Sequence, residues 1–243
     1  MTGVLVTGGA GGIGAAVARR FARAGARVAI ADVDESAGRA VAAEIGGLFV
    51  PADVSREQDN HSMVEAAVSA FGGLDIVHLN AGVGGAGGAG DDFDIDRYRR
   101  VIAVNIDGTM FGIRAALPAL TSSGGGAIVV TSSLAGISPN PFDPVYSASK
   151  HAIVGLVRSL APACSASGVT LNAACPGFVN TPMLASLRDV ILEHHLAIAE
   201  PDEVAEAVES IARGGETGNA WMVQAGLPPA PVTFPTVELS RAR

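Results

Sequence analysis

Tyr146 and Lys150 stand four residues apart in the segment Tyr146-Ser147-Ala148-Ser149-Lys150, and Lys150 is the single lysine of a chain whose sixteen Lys and Arg residues are otherwise all arginine. A position that takes a compact ammonium where every other cation is a planar guanidinium makes a chemical demand. On a helix, residues four apart project from one face, so the cation lies one turn from the phenol. A nearby positive charge favours phenolate and draws the tyrosine pKa down from about 10. A drop of about three units corresponds to roughly 4 kcal/mol of differential stabilisation, within reach of one lysine acting with a bound cationic ring. Such a pair suits a general acid/base for the proton of a hydroxyl.

A second chemical segment lies at the N-terminal end, where Val4-Leu5-Val6 leads into Thr7-Gly8-Gly9-Ala10-Gly11-Gly12-Ile13-Gly14 and then into a helical pattern from Ala15 to Arg23. Between a strand and a helix, Gly8, Gly12 and Gly14 allow a tight turn and a close approach of backbone to a pyrophosphate at the helix N-terminus. Asp32 ends the second strand-like run, eighteen residues beyond Gly14, where an acid accepts hydrogen bonds from an adenosine ribose. Its charge opposes a 2′-phosphate, and Val33-Asp34-Glu35 brings no arginine to bind one, which favours NAD over NADP. Either Asp32 or Asp34 is also suited to cap the following helix.

The elements that must position these residues are legible as an alternation. Val4 to Val6, Val28 to Ala31, Leu48 to Val50, Ile76 to Leu79, Ala127 to Val130, Val169 to Ala174 and Trp221 to Val223 read as strands. Gly14 to Ala24, Arg56 to Phe71 and Tyr146 to Ala161 carry apolar residues at helical spacing. The pattern predicts an α/β chain, a single Rossmann-type domain over residues 1–243 with a doubly wound parallel sheet of about seven strands and helices on both faces. Residues 178 to 200 interrupt the alternation and are expected to form a substrate lid.

Taken together these residues resemble the short-chain dehydrogenase/reductase family. The resemblance runs through the glycine motif at 7 to 14, Asp53-Val54, Asn80-Ala81-Gly82, Asn105, Ser132-Ser133, Tyr146 with Lys150, and Pro176-Gly177. It implies NAD-dependent interconversion of a secondary alcohol and a ketone by hydride transfer, with Tyr146 as general acid/base, Lys150 binding the nicotinamide ribose, Ser133 positioning the substrate oxygen, and Asn105 holding a helix kink and a water on the proton path. Ser133 is preferred to Ser132 because Leu134-Ala135-Gly136 follows it and it stands thirteen residues before Tyr146. Ser132 would then satisfy backbone groups at the strand end. The resemblance further implies that Ile13, Asp53, Val54, Asn80, Ala81, Gly82, Pro176, Gly177, Val179 and Thr181 line the cofactor. Asp53 is equally suited to cap the helix near Arg56, and Pro176-Gly177 to form a plain turn.

Residues 130 to 182 are similar in detail to NAD-dependent 15-hydroxyprostaglandin dehydrogenases, through Ser132-Ser133-Leu134-Ala135-Gly136, Pro144-Val145-Tyr146 and Cys175-Pro176-Gly177-Phe178-Val179-Asn180-Thr181. Those enzymes carry a glutamine three residues before the tyrosine, where this chain has Asp143. A carboxylate there disfavours an anionic ligand, and a turn between Pro141 and Pro144 is an equal role for it. His194 and His195 are adjacent, so on a helix they diverge by about 100° and suit solvent better than one shared site.

Composition excludes several classes. The net charge of −8 comes without basic clusters, which argues against nucleic acid. No apolar run approaches the roughly 20 residues that span a bilayer, and the first residues show no basic region or cleavage site, so a cytoplasmic location is expected. Cys164 and Cys175 have neither metal-ligand nor disulfide-framework spacing. The expected partners are a small secondary alcohol or ketone and further copies of the chain, since the long helices at about 95 to 120 and 146 to 162 pair across a two-fold axis in the family. Two alternatives are a 3-oxoacyl or other ketone reductase of the same family, and a non-catalytic NAD-binding sensor or scaffold.

Overall fold

The computed structural model describes residues 1–85, 87–91, 93–185 and 187–236. Helices and strands alternate in the order β1 (Gly3–Thr7), α1 (Gly12–Arg23), β2 (Arg27–Asp32), α2 (Glu35–Ile45), β3 (Leu48–Pro51), α3 (Glu57–Phe71), β4 (Ile76–Leu79), α4 (Ile95–Ile102), α5 (Gly108–Ser122), β5 (Gly126–Thr131), α6 (Pro144–Ser165), β6 (Val169–Pro176), α7 (Arg188–Glu193), α8 (Pro201–Arg213), β7 (Ala220–Val223) and β8 (Ala230–Pro231). The sheet order is β3-β2-β1-β4-β5-β6-β7-β8, with every neighbouring pair parallel except β7 and β8.

The strands are continuous apolar runs because both faces of the sheet are covered. Leu5, Val77, Ile128 and Leu171 pack with Met63, Ile113 and Val157 from α3, α5 and α6. Val4, Val6, Ile30 and Val129 point the other way, onto Phe21, Val41 and Val208 from α1, α2 and α8. Chain order reverses between β1 and β4, and such a switch point opens a crevice at the carboxyl ends of the strands. Each expected site segment follows a strand end there: the glycine turn after β1, Asp32 closing β2, Asp53 after β3, Asn80 after β4, Ser132 and Ser133 after β5, Gly177 after β6.

Two elements differ from the sequence reading. The sheet has eight strands rather than about seven, because the Pro-rich tail lays Ala230–Pro231 antiparallel on β7. Proline lacks an N–H and is tolerated at such an edge. The helix expected from about 95 to 120 is divided, with a π-helical turn at Ala103–Asp107 between α4 and α5.

Candidate active site

The N-terminus of α1 is built to receive an anion. Gly11 caps it without any side-chain hydrogen bond, so the first-turn N–H groups are left for a ligand. Gly8 and Gly12 adopt φ values of 64° and 52°, a region that favours glycine. A Cβ on Gly14 would lie 2.1 Å from the Gly8 carbonyl oxygen, so only glycine lets the helix start this close to the turn. These features fit a dinucleotide pyrophosphate, with Ile13 half-buried at the same helix start. Thr181 reaches the turn from the opposite side: a Cβ on Gly12 would stand 3.1 Å from its Cγ2.

Asp32 faces the turn, its Oδ2 accepting the Ala10 N–H at 2.9 Å and its Oδ1 the Asp34 N–H at 3.0 Å. Asp34, not Asp32, caps α2 by accepting the Ala37 N–H. Asp53 does not cap α3, whose N-cap is Arg56. Its Oδ1 accepts the Ser55 N–H and hydroxyl, and its Oδ2 lies 3.0 Å from the Arg100 guanidinium. These hydrogen bonds and that charge outweigh its partial burial and hold its carboxyl below the ordinary value. Val54 is buried against Gly108, where a Cβ would come within 2.9 Å of its Cγ2.

Asn80 is a latch across three strand ends. Its N–H donates to Thr7 Oγ1 at 2.9 Å, its amide donates to the Thr7 and Gly8 carbonyls, and its Oδ1 accepts the Thr131 hydroxyl at 3.1 Å. Ala81 N–H shares Thr7 Oγ1 at 3.1 Å. Sequence reasoning did not single out Thr7, Thr131 or His78, whose Nε2 lies 2.8 Å from Thr131 Oγ1. A buried histidine inside an otherwise apolar strand was the available signal.

The residues expected to be catalytic converge at the ends of β4 and β5. Asp143 and Pro144 start α6, the carboxylate accepting the Tyr146 N–H at 3.0 Å. Ile153, Val154 and Val157 bury one side of that helix against the sheet, which fixes its rotation. Lys150 is 2 % exposed, donates from Nζ to the Thr131 carbonyl at 2.8 Å, and sits 5.5 Å from the Tyr146 ring centroid. Glycine at 82 makes room for this, since a Cβ there would stand 3.2 Å from Lys150 Nζ and 3.4 Å from Asn105 Oδ1. Asn105 lies in the π-helical turn, accepts the Val83 N–H at 2.9 Å, and donates to the Val83 carbonyl and Ser149 Oγ. Both serines of the Tyr146–Lys150 segment are thus occupied, Ser147 bonding the Ala135 carbonyl at 2.7 Å.

Ser132 and Ser133 differ in their partners. Ser132 is buried and donates to the Lys150 carbonyl at 2.9 Å, whereas the Ser133 hydroxyl is near enough to hydrogen-bond Tyr146 and lower its pKa. Ser133 also accepts the Ala135 N–H and lies 3.5 Å from the Pro176 carbonyl. Gly177 N–H bonds Val223, and Val179 pairs with Ala199, closing the neck of the 178–200 excursion. His194 and His195 are exposed at the end of α7, with φ 53° at His195, away from any shared site.

One electrostatic expectation is reversed. Burial pushes the Tyr146 phenol up to about 12, with the Ser133 hydroxyl opposing and the Asp143 and Cys175 groups adding to the rise. Burial also brings Lys150 down to about 8. Taking the phenol out of water disfavours its charged form, so the protein by itself favours the protonated phenol.

The short chain dehydrogenase family profile matches residues 2–191. A short-chain dehydrogenase reductase from Arabidopsis thaliana is 38% identical over 223 residues, covering 90% of this chain and 80% of that one. A 2,5-dichloro-2,5-cyclohexadiene-1,4-diol dehydrogenase from Sphingobium indicum is 37% identical over 216 residues, covering 84% and 86%. Among solved structures, 3-ketoacyl-(acyl-carrier-protein) reductase from Brucella melitensis, complexed with NADH, aligns with a TM-score of 0.84 at 31% identity over 92% of this chain and 96% of that one. With a glycine turn, a strand-end latch and a Ser-Tyr-Lys-Asn set in one crevice, and with this extent of similarity, the chain belongs to the short-chain dehydrogenase family.

Proposed function

We propose that the protein is an NAD-dependent dehydrogenase interconverting a secondary alcohol and a ketone, with Tyr146 as general acid/base. The observation that carries this reading is the Lys150 ammonium buried 5.5 Å from the Tyr146 ring, on a residue whose neighbour across the cleft is the Ser133 hydroxyl. The nicotinamide, when bound, supplies the hydride acceptor. Tyr146 takes the hydroxyl proton, Ser133 holds the substrate oxygen, and Lys150, with one N–H on Thr131, has donors left for the nicotinamide ribose. The Gly8–Gly14 turn would hold the pyrophosphate, and Ala81, Gly82, Pro176 and Val179 would line the cofactor. Asp32 supports NAD over NADP: Val33 beside it is exposed, and the arginine of α2, Arg39, is paired with Glu35 and lies over Phe49.

A ketone or 3-oxoacyl reductase is the second reading. It is favoured by the protonated phenol of the free protein, which is the state that donates to a ketone, and by the similarity to the Brucella reductase. The resemblance read in residues 130 to 182 to 15-hydroxyprostaglandin dehydrogenases supports hydroxy fatty acids and prostanoids as candidate substrates, and the similarity to the Sphingobium diol dehydrogenase supports ring alcohols. On the same reading residues 178–200 close over the substrate. The chain acts in the cytoplasm as a homo-oligomer, with the half-buried Leu156 and Leu160 of α6 in the contact.

The test is NADH formation across a panel of secondary alcohols, with NADP in parallel and the corresponding ketones in reverse. Activity with NAD that vanishes in Tyr146→Phe supports the reading. Near wild-type turnover in Tyr146→Phe overturns it.

A further inference from the structure

The segment after β4 crosses the catalytic tyrosine and is held from two directions. Asn105 exchanges two hydrogen bonds with Val83, both at 2.9 Å. Two residues on, Asp143 Oδ2 accepts the Gly85 N–H at 2.5 Å while Oδ1 of the same carboxylate accepts the Tyr146 N–H. Gly84 between them is pressed so close that a Cβ would stand 2.9 Å from Asp143 Oδ2 and 3.4 Å from Tyr146 Cδ2. One carboxylate therefore ties residues 83–85 to the first turn of the helix that carries Tyr146.

Capping α6 requires no charge, because serine, threonine or asparagine caps as well. The carboxylate does two further things here: it makes both hydrogen bonds charge-assisted, and it places a fixed negative charge beside the phenol. Around Tyr146, the Asp143 and Cys175 groups oppose ionisation, the Ser133 hydroxyl favours it, and the Lys150 ammonium lies to the side of the ring that is buried with Thr131. Arg97 donates to the Gly85 carbonyl at 3.3 Å, and its charge is paired with Asp94 at 3.6 Å.

We propose that Asp143 is a specificity-determining and positioning residue, fixing residues 83–85 as a wall beside the Tyr146 ring and disfavouring alcohols and ketones that carry a negative charge close to the reacting carbon. Substrates with a carboxylate or phosphate close to the reacting carbon are turned away, while a second hydroxyl is tolerated as a donor to the carboxylate. The inference rests on Tyr146 acting as the acid/base of the proposed dehydrogenase.

Two variants separate charge from staple. Asp143→Asn keeps a cap and removes the charge, and Asp143→Ala removes both. The first measurement is binding of 4-hydroxycyclohexanecarboxylate and of its neutral carboxamide to the protein with NADH, followed by nicotinamide fluorescence. Asp143→Asn raises carboxylate affinity relative to carboxamide by about tenfold, the size expected for one unscreened neighbouring charge. The second is hydrogen exchange at the Gly85 amide, which quickens about tenfold in Asp143→Ala and much less in Asp143→Asn. An unchanged affinity ratio, or no binding of either compound to either protein, overturns the charge argument. Equal Gly85 exchange in wild type and Asp143→Ala overturns the staple. Neither readout requires turnover, so loss of the dehydrogenase reading through an active Tyr146→Phe remains distinguishable from failure of this one.

Discussion

Lys150 passes beside Tyr146 to reach Thr131, its Nζ 5.5 Å from the tyrosine ring centroid and 2.8 Å from the Thr131 carbonyl oxygen. Burial moves the two groups apart, the phenol up to about 12 and the ammonium down to about 8. An acid/base pair whose environment pushes its members apart is set for chemistry by what binds next to it, since a cationic ring at the site favours phenolate while opposing the ammonium.

Replacing Lys150 by arginine tests whether a compact ammonium is required. A Cβ on Gly82 would already crowd Nζ at 3.2 Å, so the bulkier, planar guanidinium is expected to disturb the contact with Thr131. The expected result is a fall in kcat/KM of about 10²- to 10⁴-fold for both Lys150→Arg and Lys150→Met, measured as NADH formation. Arginine giving wild-type rates would remove Lys150 from the mechanism.

The same pKa positions set the pH dependence. With the phenol protonated in the free protein, alcohol oxidation needs Tyr146 to lose its proton, so kcat/KM in that direction rises with pH through the alkaline range. Ketone reduction uses the protonated phenol and falls over the same interval. Profiles measured in both directions should therefore slope in opposite senses, and parallel slopes would contradict the assignment.

Asn105 carries structure as well as chemistry. Asn105→Ala leaves the Val83 N–H and carbonyl without their side-chain partners and removes the bond to Ser149. A loss of about 2–4 kcal/mol in unfolding free energy is expected from two partly buried backbone groups, read from a denaturant midpoint. Activity should fall more than stability explains, because residues 83–85 flank Tyr146.

The strands were legible because a parallel sheet buried on both faces makes each one a short apolar run, and Val4 to Val6 or Ile76 to Leu79 needed no further context. The Tyr146–Lys150 pair was legible because the helix period places both on one face. The break at Ala103–Asp107 was legible only through the resemblance, as a kink at Asn105, since nothing in Ala103-Val104-Asn105-Ile106-Asp107 by itself opposes an ordinary helix. The sign of the Tyr146 shift was hidden for a related reason. Spacing gives the cation beside the phenol, but only the packed fold gives the desolvation that outweighs it. Thr7 and Thr131 act through strand ends far apart in sequence, so neither had a local signal.

Asp32 is the residue at which the proposed preference for NAD is tested. Asp32→Ala removes the charge that opposes a 2′-phosphate and also the acceptor for Ala10 N–H. The ratio of kcat/KM for NAD over NADP should fall by about tenfold or more, the size of one unfavourable charge contact in a partly exposed site. A ratio unchanged by the substitution would place the discrimination elsewhere.

His78 makes a separate prediction about acid stability. Asn80 uses its amide N–H groups on Thr7 and Gly8, so its Oδ1 must accept the Thr131 hydroxyl proton, and Thr131 Oγ1 is left to accept from His78 Nε2. That fixes the neutral tautomer with hydrogen on Nε2. Nδ1 is buried and has no partner among the described residues, so protonation there would bury an unpaired charge. Burial accordingly holds His78 down to about 3, against an ordinary 6.5. The unfolded chain then binds a proton that the folded chain refuses, and the stability present above pH 6.5 drains away as pH falls toward 3, by about 1.4 kcal/mol per unit. In urea unfolding between roughly pH 6 and pH 4, wild type should lose this much more per unit than His78→Leu, which has nothing to titrate at this position. At neutral pH the variant loses only the hydrogen bond to Thr131, about 1 kcal/mol. Parallel pH dependences in the two proteins would mean that His78 finds a partner for its second nitrogen in solution.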